Sequence, residues 1–328
     1  VRDADSGRLV ATGRAPHVVP TGRAREQVPS HWWSALLHAV AATGERDISA
    51  MSVVASSQGM VLTDRAGAVL RPAVLATDRR SAAHARRLVD HFGPARWARM
   101  VGMVPDAATT LSQLAWLRSA DREAFDGIGS VMSAHDWLTF RLTGRVVTDR
   151  GDASETGFWS PTAGAWRTDL LARLDPTVSE ADWSERLPRV VGATAVADWM
   201  TASVHEIVGL RGRPLVAAGT GRRMAVALAA GLRDAECVMS FGATGATMVR
   251  SGTMVADQSG VVRSVADATG HHLAVASLDE AGACARSVAS MPSRTWLCWN
   301  EERSSTWMSV SVSRCLRVTK GRSASTPR

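Results

Sequence analysis

Apolar and polar positions alternate with two periods along this chain, and they switch repeatedly. In PSHWWSALLHAVAATG, Trp33, Leu36, Leu37 and Val40 recur at helical spacing. That predicts a helix with Ser30 as its N-cap and Gly44 closing it. DISAMSVVAS is a short apolar run and predicts a buried strand. VLTDRAGAVL predicts a hairpin turning at Asp64-Arg65-Ala66-Gly67. RRSAAHARRLVDHFG, ending at Gly93, and TTLSQLAWLRSADREAF both predict helices.

GIGSVMSAHDWLTFRLTG predicts a strand and then a helix, with Asp136 near the helix start. TDRGDASETGFWSPTAGAW shows neither period and reads as a polar loop. Residues 215–218 predict a strand, followed by a glycine turn and a helix over 224–231. CVMSFGATGATMV predicts strand, glycine turn and strand. At the N-terminus, VRDADSGRLVATGRAP predicts two strands joined at Asp5-Ser6-Gly7. Beyond about residue 270 neither period is visible. Strands alternating with helices, with added hairpins, predict an α/β fold.

Composition narrows the class. The 328 residues are enough for one large or two ordinary domains. No apolar run is long enough to span a bilayer, and VRDADSGRLV lacks the apolar stretch of a signal peptide. The expectation is a cytoplasmic protein with no membrane association. The four cysteines form no CxxC pair and have no histidine at ligand spacing, which argues against zinc and for free thiols. The net charge of +7 is concentrated from Arg303 onward, where six basic residues occur with no acid. The body is then nearly neutral, which argues against a nucleic-acid surface.

Four segments, in order, carry a resemblance. VVASSQGMVLTDRAGAVLRPAVLATDRRS, HDWLTFRLTG with TDRGDASETGFWSP, VAAGTGRRMAVALAAGL, and SFGATGATMV each resemble motifs of the FGGY carbohydrate kinases, most closely the xylulokinases. The similarity runs over roughly residues 1–270. It implies an actin-like, ribonuclease-H-like fold with two α/β domains around a cleft. The implied layout is a sugar-binding N-terminal domain over 1–232 lacking its first strand and the start of a nucleotide domain over 233–285. Residues 286–328 resemble nothing in the family, are assigned to no domain, and read as a basic, disordered tail. The implied partners are a small-molecule pentulose, with ATP and Mg²⁺ as cofactors, and a homodimer. The implied reaction is phosphoryl transfer from ATP to the 5-hydroxyl of D-xylulose, which rests on positioning, charge neutralisation and a base near the hydroxyl.

The same resemblance places the substrate contacts at Ser57, Gln58, Asp78 and Asp152. It places the phosphate turn at Ser240, Gly242, Thr244 and Gly245. The residue types also read without it: Asp78 suits a helix N-cap ahead of RRSAAHA, and SFGATG suits an ordinary hairpin. The departures are concentrated at the chemistry. The family's catalytic Asp and its neighbouring Asn fall at Arg222 and Arg223. Arginine cannot accept a proton near neutral pH. Ser56 and Ser57 replace two glutamines, Gln58 replaces a histidine, and Ala76 and Thr77 replace the Trp-Asn before Asp78. Glu155 replaces a glycine after Asp152-Ala153-Ser154. The expectation is a xylulokinase-like sugar kinase with impaired catalysis and no protein-held metal. The alternatives are a non-catalytic sugar-binding pseudokinase or a gene remnant.

Overall fold

The computed structural model describes residues 1–277 apart from 19, 21, 57 and 241–244, and the backbone alone of residues 278, 307–308 and 316–318. The helices around the site are α1 (Pro29–Ala41), α2 (Ala82–Phe92), α3 (Thr110–Ala120), α4 (Ala134–Thr143), α5 (Arg150–Glu155) and α6 (Arg222–Ala229). The strands are β1 (Ala50–Met51), β2 (Val54–Ala55), β3 (Gly59–Thr63), β4 (Ala73–Leu75), β5 (Ser130–Met132), β6 (Val147–Asp149) and β7 (Val196–Trp199). They continue with β8 (Leu215–Ala217), β9 (Thr220–Gly221), β10 (Cys237–Ser240), β11 (Gly245–Ser251), β12 (Val262–Ala266) and β13 (His272–Leu278).

Two parallel pairings organise the first part of the chain. β8 runs parallel to β1, with Leu215 opposite Ala50, and carries antiparallel β7 on its other side. β9 runs parallel to β2, with Thr220 opposite Val54. β3 lies between β4 and β5, both antiparallel to it. The last part is an antiparallel sheet in the order β12-β13-β11-β10. One apolar cluster joins the two parts. It runs from Met60 and Leu62 through Leu111, Leu114 and Met224 to Val238, Met248, Val265 and Leu273. A second cluster packs Trp32, Trp33, Val53, Val61, Trp137 and Val216.

Several local expectations change. The helix after Pro29 has Val28, not Ser30, as its N-cap, with no side-chain cap bond, and it buries Trp32 and Trp33. DISAMSVVAS forms the two short strands β1 and β2. The Asp64–Gly67 turn is present, with the Asp64 carboxylate accepting from Ala66 and Ala68 N–H, but the paired strand is β4, beyond Val69. The TTLSQLAWLRSADREAF helix breaks at Asp121, whose carboxylate caps a new helical turn, Arg122–Asp126. The N-terminal strands reduce to a bridge between Arg2 and Leu9. β13 lies where the pattern is illegible. The expectation of a disordered tail falls on residues outside those described, except for backbone pairing of Trp307–Met308 and Leu316–Val318.

The largest correction is α5, which occupies the stretch read as a polar loop. The Asp149 carboxylate accepts from Gly151 N–H at 3.0 Å and from Asp152 N–H at 3.1 Å, so the chain turns helical immediately after β6. Gly151 through Glu155 are then buried, although three of the five carry polar side chains.

Candidate functional site

The β2–β9 pairing brings two candidate segments together. Both strands end in the same direction, so the Gln58 loop that follows β2 and the Arg222 turn that follows β9 emerge side by side. The space beyond the carboxyl ends of parallel strands is where α/β folds bind ligands. The approach depends on Gly219, which has φ +82°. A Cβ there would lie 2.3 Å from the Val53 carbonyl oxygen, and the Thr220 N–H donates to that same oxygen at 3.2 Å. Ser57 lies outside the described residues. Gln58 is half-buried, and its Nε2 is enclosed with no hydrogen-bond partner among the described residues.

Asp78 is buried and fully engaged. It does not cap α2, whose N-cap is Ser81. Its carboxylate accepts from Arg25 N–H at 2.9 Å, from Arg80 N–H at 2.9 Å, and from Arg80 Nη2 at 2.7 Å. Burial opposes its charge, but the Arg80 and Arg25 donors more than offset this and hold its pKa below the ordinary carboxylate value.

A buried polar hub adjoins β9 through Thr220. Ser133 and Asp136 form a reciprocal capping box at the start of α4. The Ser133 hydroxyl also donates to Asp152 at 2.8 Å, and His135 Nδ1 pairs closely with the same carboxylate. His135 Nε2 lies 3.3 Å from Asp136 and 4.0 Å from Asp149. Burial pushes the His135 pKa down, but the Asp152, Asp136 and Asp149 charges push it up further, to about 10. Burial and the neighbouring Asp152 charge raise Asp149 to about 6. His135, Asp149 and Asp152 each offer a donor atom within 4.8 Å of the others, a set of metal-ligand type. His135 Nδ1 and Asp152 Oδ2 are committed to each other, and the Asp149 carboxylate to the α5 N–H groups and to Thr220, which donates to it at 2.7 Å. A narrow cleft with about 10 Å³ of free space, room for about one water, borders Ser133, Asp136 and Asp152 from the side of Gly59 and Phe158.

Arg222 and Arg223 are the first two residues of α6, after the N-cap Gly221. Arg222 reaches solvent and has no acidic partner among the described residues. The protein around it, and then the Arg223 charge, hold its guanidinium below the ordinary pKa. Arg223 turns inward: Nη1 meets Glu155 Oε1 at 2.9 Å and Nη2 donates to Ser277 Oγ at 3.1 Å. Arg263 on β12 approaches the other Glu155 oxygen at 3.5 Å and also pairs with Asp106. Two positions that depart from the family pattern, 155 and 223, thus meet as an ion pair. Mg²⁺ needs oxygen ligands, and Arg222 and Arg223 offer none, so the turn does not fit the ion at this point.

Ser240 ends β10 and Gly245 begins β11; Gly242 and Thr244 lie outside the described residues. Ser277, the Arg223 partner, is opposite Ala246 in the sheet, one residue from Gly245. Asp152 and Arg223 therefore belong to one connected region, whereas Asp78 sits in its own loop network. His135, Asp149 and Thr220 are central here yet were not singled out from sequence. The only local signal was Asp149 three residues ahead of Asp152, a cap spacing.

Comparison with known proteins places this arrangement. Residues 3–228 match the N-terminal domain of the FGGY family of carbohydrate kinases. The chain is 43% identical over 281 residues to a xylulose kinase of Streptomyces coelicolor and 40% identical over the same length to one of Streptomyces rubiginosus. Each alignment covers 84% of this chain and 56% of the relative, so the chain spans little more than half of these relatives. The crystal structure of a xylulose kinase from Bifidobacterium adolescentis superposes with a TM-score of 0.77 at 30% identity, covering 84% of this chain and 61% of that one. A Brucella ovis structure with a TM-score of 0.77 at 22% identity supports the fold alone. The chain belongs to the FGGY family of carbohydrate kinases, and its fold is the actin-like, ribonuclease-H-like fold of that family.

Proposed function

We propose that this chain is a xylulokinase-type sugar-binding domain that does not itself transfer a phosphoryl group. The observation that carries the reading is Arg222 at the start of α6, where the family resemblance places the base. A hydroxyl attacking a phosphoryl group must give up its proton, and a guanidinium has no lone pair to take it. Loss of a general base lowers rates by about 10²–10⁴. ATP and Mg²⁺ belong to the family's reaction, and in this chain the turn offers them no carboxylate.

The sugar side retains more. Gln58 supplies an enclosed amide donor for a sugar hydroxyl. Asp78 is engaged by Arg80 and Arg25, and Asp152 Oδ2 is engaged by Ser133 and His135; on this reading the two aspartates hold the pocket loops in place. The similarity to xylulose kinases supports a pentulose, D-xylulose, as the ligand on this reading.

The test is a thermal melt of the purified chain with and without D-xylulose, paired with an assay for xylulose-dependent ADP release. A ligand at a hundred times its Kd stabilises the folded state by about 2.7 kcal/mol. An upward shift without ADP release is the expected result. Xylulose-dependent ADP release by the unmodified chain overturns the loss of catalysis. An unshifted melt overturns sugar binding.

A further inference from the structure

We propose that Arg223 and Arg263 form an oxyanion-binding site that the chain fills with its own Glu155 carboxylate. The two guanidiniums come from different elements, α6 and β12, and converge on one side chain carried by α5. Glu155 has no exposed side-chain surface, and each of its oxygens faces a different arginine, at 2.9 Å and 3.5 Å. A guanidinium presents a planar fork that matches carboxylate and phosphate oxygens alike. A carboxylate held between two such forks therefore occupies a position suited to a phosphate.

The internal ligand fits imperfectly. Glu155 Oε2 and Arg263 Nη1 are both buried and make no hydrogen bond among the described residues, although they face each other at 3.5 Å. A carboxylate has two oxygens to share between two forks. A tetrahedral oxyanion has more, and it would satisfy the donor that Glu155 leaves unpaired. The far edge of Arg263 is held by Asp106, and Arg223 is held by Ser277, so both guanidiniums keep their places without Glu155. Charge supports the same reading. Two arginines face Glu155 and Asp106, and removing the Glu155 charge leaves one partly buried positive charge unmatched. Ser277 lies beside the root of the β10–β11 turn, so the self-occupied site adjoins the hairpin that the family resemblance links to phosphate.

Glu155→Gly and the near-isosteric Glu155→Gln open this site. The probe is inorganic phosphate, titrated against chloride at matched ionic strength, with the melting temperature as readout. Both variants should melt below the unmodified chain in chloride. Phosphate should then raise their melting temperature saturably, by about 3 °C or more at ten times its Kd. The unmodified chain and the double variant Glu155→Gly/Arg223→Asn should show only the small, unsaturating rise that phosphate gives to any folded protein. Equal responses in all four proteins, or no saturable response in either single variant, overturn the proposal. A single variant that is unfolded in chloride and folds in phosphate supports it, and one that stays unfolded in both overturns it. The proposal does not rest on sugar binding, and the xylulose and phosphate shifts are read independently.

Discussion

The Thr220 hydroxyl donates to the Asp149 carboxylate at 2.7 Å, and that one carboxylate ties three elements together. It ends β6, caps α5 through the Gly151 and Asp152 N–H groups, and holds the last strand before the Arg222 turn. Asp149→Ala leaves those donors buried without a partner and is expected to cost about 1–3 kcal/mol by urea unfolding. Asn is also a good N-cap and keeps one acceptor oxygen, so Asp149→Asn should cost less than about 1 kcal/mol at pH 7. Equal losses in the two variants would show that the cap and the Thr220 bond do not anchor the turn.

The His135 hub sets a pH dependence with a definite sign. Its folded pKa of about 10 lies above the ordinary 6.5. The folded state therefore holds a proton that the unfolded chain releases, and the stabilisation is complete below about pH 6.5 and lost as pH rises through about 10. Between these limits stability should fall by up to about 1.4 kcal/mol per pH unit. The chain has no tyrosine and one lysine. Its four cysteines and α-amino group titrate in this window in the parent and in His135→Gln alike, so the His135 contribution is the difference between the two. Urea midpoints at pH 7, 8, 9 and 10 should decline more steeply for the unmodified chain than for His135→Gln, and parallel profiles would show that His135 does not carry the pH dependence. Asp149, raised to about 6, adds a second decline as pH rises from about 4 to 6, because its folded form holds a proton that the unfolded form has lost.

These two residues also show where sequence reading stopped. The alternation of strands and helices was legible because β3, α3, α4 and the strand–turn–helix around Arg222 have apolar faces with a period. α5 was not, because its buried residues are Gly, Asp, Ala, Ser and Glu, which polarity alone assigns to a loop. What makes it a helix is the Asp149 cap, and what makes its burial tolerable is a set of partners distant in sequence. The candidate residues at 58, 78, 152, 222 and 223 were legible through the family resemblance. The contacts they make were not. Nothing local to Glu155 indicates that Arg223, 68 residues away, will neutralise it.

The Gly219 turn gives a steric prediction. Its φ of +82° strains any L side chain, and a Cβ would lie 2.3 Å from the Val53 carbonyl oxygen. The obstacle is backbone, so it cannot swing aside. Gly219→Ala is expected to cost about 1–3 kcal/mol or more and to part β9 from β2. Hydrogen exchange at the Thr220 amide, bonded to Val53 in the intact turn, should rise in the variant. Unchanged protection there would mean that the turn accommodates a side chain without separating the strands.

Gln58 separates binding from folding. Its Nε2 has no hydrogen-bond partner among the described residues, so Gln58→Ala removes little that the free protein uses. The melting temperature of the free variant should stay within about 2 °C of the parent, given that changes outside strong interactions typically stay within about 0.5 kcal/mol. Its shift with D-xylulose should be largely abolished. A variant that keeps the full shift would remove Gln58 from the sugar contacts.

The Glu155–Arg223 pair is expected to behave as one coupled change. Glu155→Gly alone removes the anion and strands partly buried cationic charge, which costs at most the about 3–5 kcal/mol seen when a fully buried pair is broken. Arg223→Asn alone leaves Glu155 with Arg263, so its cost should be smaller, about 1.5–3 kcal/mol for a lost charged hydrogen bond. Glu155→Gly/Arg223→Asn removes both charges together, and its loss should fall short of the sum of the single losses by about 0.5–3 kcal/mol. Urea unfolding of the four proteins closes the cycle, and strictly additive losses would show that the two side chains touch without coupling. The coupling bears directly on restoring a base. Arg222→Asp with Arg223→Asn recreates the family's residue types at the turn but leaves Glu155 buried with one cation fewer. Adding Glu155→Gly to that pair should therefore recover stability that the double restoration loses, and a triple variant no more stable than the double would sink this account.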